Sequence, residues 1–136
     1  MKKLLLLFSF VFAASAASFA QCDKPVTFHS STTNYLNDKG EIEKSKDEET
    51  VIKLSKTEVS IAPGDHTMTG AVTDYVCNWT VPFKEGKTTF KSLLADNDRE
   101  MHATIIIEGK GGKVTLTFTV DEMPGKKIQV TADKFE

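Results

Sequence analysis

The residues of this chain that could do chemistry are three histidines, two cysteines and an abundance of acids, and their spacing settles most of them. The three histidines, His29, His66 and His102, stand far apart. None is three or four residues from another, so no local metal-ligand pattern exists, and neither a metal nor a cofactor is expected. Nucleophilic catalysis needs a serine on a Gly-x-Ser-x-Gly elbow, or an activated cysteine beside a histidine base. The elbow is absent, and Cys77 falls at an inward strand position, where a sulfur is structural. Glycoside chemistry needs two carboxylates across a cleft. Glu108, Asp121, Glu122 and Asp133 instead fall at outward or terminal strand positions, where water solvates them. Gly86-Lys87-Thr88 ends like a phosphate-binding loop, but the full motif requires glycine where Val81 stands and a helix afterwards. It reads as a turn. No catalytic residue is nominated.

Two constellations remain. Cys22 and Cys77 are the only cysteines and do not form a Cys-x-x-Cys pair; in an exported chain an even count reads as a disulfide. A lipid anchor on Cys22 would need a small residue before it, and Gln21 stands there. The second constellation is aromatic. Tyr75, Trp79 and Phe83, together with Phe28, could line a ligand site. Their ordinary role is core, because such rings bury large area and ask for one polar contact. In a cavity, Ser30 and Thr32 would join them, since inward polar residues suit open space better than close packing. Asn78-Trp79-Thr80 fits a glycosylation acceptor, a coincidence in a bacterial setting.

The chain's beginning supplies that setting. Lys2 and Lys3 precede an apolar run, Leu4 to Ala14, and Ser18 and Ala20 place small residues before Gln21. This is a secretory signal peptide, too short to span a bilayer. Its removal leaves residues 21–136 as one all-β domain, long enough for a real core. The precursor carries 17 basic and 19 acidic residues, a net charge of −2. Cleavage takes away two lysines and no acid, which makes the mature chain more acidic still. No positive footprint exists for phosphate, so nucleic acid is excluded as a partner. No second apolar run is long enough to form a membrane helix.

From residue 50 onward the hydrophobic period is two. Val114, Leu116, Phe118 and Val120 alternate with polar neighbours, as do Ile128, Val130 and Ala132. Ala103, Ile105 and Ile107 share one face of the strand before them, and Gly109-Lys110-Gly111-Gly112 turns it into the next. Val51–Leu54 and Thr57–Ile61 flank a Ser55-Lys56 turn, and Pro63-Gly64-Asp65 ends that pair. A long strand follows, with Ala71, Tyr75, Cys77, Trp79, Val81 and Phe83 mostly on one face, up to a Lys84-Glu85-Gly86 turn. Lys87–Leu94 fits a helical face as well, but its threonine pair favours an extended chain. Asp96-Asn97-Asp98 is a turn. The first strand is weakly specified, with Val26, Phe28, Asn34 and Leu36 inward. Residues 38–49 hold nine charged side chains in twelve and read as a solvated loop.

Seven to eight antiparallel strands in up-and-down order must cover their apolar face. The fold class expected is therefore a small barrel or barrel-like sandwich. In size and strand count the chain resembles small exported β-barrels such as lipocalin-like carriers and bacterial lysozyme inhibitors. It carries no signature motif of either. The Ala-Gln junction resembles those of exported Bacteroidota proteins. The leading expectation is a non-catalytic interaction protein of the envelope or exterior. It would meet an unidentified protein through a sheet edge, either the first strand or the strand ending at Glu136. The alternative is a lipocalin-like carrier of a small apolar ligand, with Phe28, Tyr75, Trp79 and Phe83 as its site. A hydrolase is the third reading.

Overall fold

Nine strands succeed one another in the computed structural model, which describes residues 21–97 and 99–136. They are β1 (Val26–Leu36), β2 (Ile42–Leu54), β3 (Glu58–Pro63), β4 (Met68–Val81), β5 (Glu85–Ala95), β6 (Glu100–Lys110), β7 (Lys113–Val120), β8 (Lys127–Thr131) and β9 (Lys134–Phe135). Each of the first seven pairs antiparallel with its successor, and β8 returns to β1, so the sheet closes into an eight-stranded barrel. The two-residue β9 adds to β1 at Phe28 and His29. Closure follows from the pattern: an open sheet would leave one apolar face wet, and a barrel removes both edges and that face together. The signal-peptide reading concerns residues 1–20, which lie outside the described residues, as does Asp98 of the expected turn.

β6 and β7 show the alternation cleanly. Ala103, Ile105, Ile107, Val114, Leu116, Phe118 and Val120 are all buried, and Ile105 stands directly opposite Phe118. Residues 87–94 are extended within β5, with Thr88, Phe90, Ser92 and Leu94 pointing in.

Four expectations need correction. Most of residues 38–49 are not a loop: Ile42–Glu49 belong to β2 and pair with β1, where Ser45 faces Asn34 and Lys46 faces Thr33. Main-chain pairing to a neighbour decides this, and local composition carries no trace of it. On β4, Ala71 and Val81 point outward, not in with Trp79. An irregularity between Thr73 and Val76, with Asp74 at φ 51°, exchanges the faces, and a second lies between Trp79 and Val81. On β1 a register shift between Ser30 and Thr32 keeps Ser30 buried, exposes Thr32 and turns Thr33 inward. Asn34 then faces outward, where it accepts a hydrogen bond from the Ser45 hydroxyl. The β4–β5 turn is also earlier than expected, at residues 82–84, and Glu85 already lies in β5.

Candidate functional site

The barrel has two different ends. At the end holding the β2–β3, β4–β5 and β6–β7 turns, the aromatic residues gather. Phe135 of β9 sits at their centre, with ring centroids 5.8 Å from Phe28, 5.7 Å from Trp79 and 5.1 Å from Phe83. Phe28 and Trp79 are buried and Phe83 is half-buried. The Trp79 Nε1–H donates to Thr88 Oγ1 at 2.7 Å, which answers the one polar demand of the indole. Its ring covers the facing pair Gly86 and Gly109. A Cβ on Gly109 would stand 2.7 Å from Trp79 Cζ3, and one on Gly86 would stand 2.4 Å from Trp79 Cα. Both positions must be glycine for the indole to lie there.

The segment before β1 lies over this end. Cys22 and Cys77 form the expected disulfide, with an S–S distance of 2.05 Å. The sulfur that a lipid anchor would need is thereby taken. The side-chain oxygen of buried Gln21 accepts the Phe83 N–H at 2.8 Å, and Phe83 holds a left-handed φ of 61° at the turn. The Tyr75 hydroxyl donates to the Cys22 carbonyl at 3.4 Å. Burial pushes the Tyr75 phenol above its ordinary value, an effect eased by nearby Lys56 and reinforced by Asp23. Lys56 and Asp23 form an ion pair beside it. Of the four aromatics expected to act together, the structure unites Phe28, Trp79 and Phe83 and sets Tyr75 apart under the N-terminal segment. Phe135 completes the cluster, and its short terminal strand offered no period from which to find it.

The opposite end is different. A cavity of about 120 Å³ opens inside the barrel between β1, β2, β3, β4, β7 and β8. Ile52, Ile61, Leu116 and Val130 form its floor and walls, while Tyr35, Glu48, Pro63 and Met68 lie towards the strand ends. Thr33 and Thr50 line it too, and both are buried. Their hydroxyl oxygens have no hydrogen-bond partner. A second recess of about 340 Å³ shares the walls Tyr35, Phe118 and Ile128. None of Phe28, Tyr75, Trp79 and Phe83 lines this cavity.

Charge at the mouth is balanced. Lys46 Nζ lies 3.0 Å from Glu48 Oε2, and that hydrogen bond holds the lysine above its ordinary pKa. The Lys46 ammonium occupies the Glu48 side chain, so Glu48 presents no bare anion to the cavity.

The chain matches no known protein family, curated protein or solved structure.

Two histidine–carboxylate pairs also stand at this end. His66 Nε2 lies 2.9 Å from Asp96 Oδ2, and His102 Nδ1 lies 3.4 Å from Glu122 Oε2. Among the described residues no three histidine, cysteine or acidic side chains converge as a metal would require. No helix among them is long and apolar enough to cross a membrane. The Glu122 carboxylate accepts the His102 backbone N–H at 2.8 and 3.1 Å, and this backbone bond chiefly lowers its pKa. Glu122 should therefore titrate below the ordinary glutamate value in an NMR pH series. Its tie between the β7–β8 turn and β6 is complete above the ordinary carboxyl value and is lost as pH falls through the depressed one. A midpoint at or above that of a short peptide would show that the turn does not engage β6 in solution.

Proposed function

We propose that this protein is a non-catalytic carrier of the bacterial envelope or exterior, holding a small, largely apolar molecule inside a barrel sealed at its other end. The observation behind this reading is the interior cavity walled by Ile52, Ile61, Leu116 and Val130 and carrying two buried hydroxyls without partners. A closed antiparallel barrel is a ready container for such a site, and one of this size suits a compact molecule. A cavity of roughly 150 Å³ in an apolar core takes up benzene, and the 120 Å³ here, adjoined by the recess that shares Tyr35, Phe118 and Ile128, is on the scale of a single-ring molecule and not of an extended acyl chain. Export is supported by the Cys22–Cys77 disulfide, which is at home in an oxidising compartment.

The competing reading, an interaction protein using a sheet edge, has less behind it. β1 is bonded on both sides, to β2 and to β8 and β9, so it presents no edge. β9 has an open side but only two residues. The long open edge is the Ile42–Glu48 half of β2, because β3 pairs only from Thr50 onward. That stretch is dense in charge, the composition by which sheets discourage pairing.

Native mass spectrometry of the protein purified from its own host should show a co-purifying small molecule at one per chain. Toluene should shift the methyl resonances of Thr33, Thr50, Leu116 and Val130 with saturation. Val130→Phe and Met68→Phe, which fill the cavity from its floor and its mouth, should each abolish that shift. No adduct together with no saturable shift in the wild-type protein would end the carrier reading.

A further inference from the structure

The ligand's chemistry can be taken further, resting on the carrier reading. The buried hydroxyls of this barrel fall into two groups. Ser30 Oγ donates to the Thr32 carbonyl at 3.0 Å, and Thr88 Oγ1 accepts from Trp79. Thr33, Thr50 and Ser92 have no partner. Ser92 is packed against Gly70 so closely that a Cβ there would come within 2.3 Å of its oxygen, which leaves no room for another atom. Thr33 and Thr50 differ, because both line the cavity, where a turn about χ1 brings their hydroxyls, sealed in this structure, against an occupant.

Their placement comes from the strand register. Thr50 stands opposite Ser30 on β1 and opposite Pro63 on β3. The register shift after Ser30 brings Thr33 to the inner face one step nearer the mouth. Two neighbouring strands thus bring threonine side chains to the wall of one apolar cavity. A threonine hydroxyl donates one hydrogen bond and accepts others, so the two together can give to and take from a single hydroxyl oxygen. A hydrocarbon would leave both unpaired, and an ion would be desolvated without a countercharge, because Glu48 is already held by Lys46.

We infer that the cavity takes a neutral, compact molecule of about phenol size, with an apolar body against Ile52, Ile61, Leu116 and Val130 and a hydroxyl head bonded to Thr33 and Thr50. The body fills the volume and the head satisfies the two threonines. This makes Thr33 and Thr50 the residues that set specificity, and it makes the aromatic cluster a seal and not a binding surface.

Phenol and toluene serve as probes, titrated into the oxidised protein and followed by methyl shifts. The Thr33→Val/Thr50→Val variant keeps the shape of both side chains and removes both hydroxyls. Phenol affinity should fall about tenfold or more in it, the loss expected when a buried hydroxyl head is left unpaired, while toluene binds as well or better. Thr50→Ser, which keeps the hydroxyl, should retain phenol, so a folding defect in the valine variant does not remove the test. If both probes bind the wild type and respond alike to the valine variant, the hydroxyl assignment falls while the carrier reading stands. If neither probe binds the wild type, the carrier reading falls and this inference with it.

Discussion

Trp79→Ala is expected to lower the free energy of unfolding by about 3–5 kcal/mol, while toluene and phenol still bind at the far end. The side chain is 4% exposed and sits against Phe135, Gly86 and Gly109. Truncation to alanine would leave a void that its neighbours cannot fill. Gly86 and Gly109 have no side chains to move in, and their strands are held in register by β4–β5–β6 pairing. Thr88 would also lose its indole donor. Trp79→Phe should recover most of the packing but not that bond, and so fall between the two. Urea titration measures the stability, and near-ultraviolet dichroism reports the order of the ring cluster. A loss under about 1 kcal/mol with weakened phenol binding would reverse the assignment and make Trp79 part of a ligand wall.

That contrast between a sealed end and an open end was only partly readable in the residues. β6 and β7 were, because Ala103, Ile105 and Ile107 answer Val120, Phe118 and Leu116 across the pair with no interruption. β4 was not, because an extra residue near Asp74 swaps the faces, and alternation in sequence contains no mark of a bulge. The same limit hid the cavity. Ser30 was expected inside and is, but the shift after it replaces Thr32 with Thr33 as the next inward hydroxyl. Thr50 sits where β2 first meets β3, and no local pattern announces where a strand gains its second neighbour. The charged run Ile42–Glu49 misleads for a related reason. It buries little of its own, and it is extended because β1 supplies its hydrogen bonds. Phe28, Trp79 and Phe83 were found as a set by their size and position, and Phe135 was missed because two residues cannot show a period.

Removal of the disulfide, by Cys22→Ala/Cys77→Ala or by reduction, carries the second large effect. The bond closes a separation of 55 residues, and the chain-entropy account assigns such a loop about 4 kcal/mol, chiefly by restricting the unfolded chain. For a domain of this size the melting temperature should drop on the order of 15 °C. The folded barrel should survive at room temperature, since its strands close on one another without the sulfur link. Local consequences should be confined to the sealed end. The Cys22 carbonyl that accepts from Tyr75 and the Gln21 oxygen that caps the Phe83 N–H both lie on the tethered segment. Amide exchange at the β4–β5 turn should therefore quicken on reduction, while Thr33 and Thr50 at the other end keep their protection. Equal melting of oxidised and reduced protein would show that the link contributes nothing. The case for an oxidising compartment would then rest on residues 1–20 alone. A drop of the expected size, with phenol binding intact, would separate what stabilises this barrel from what it holds.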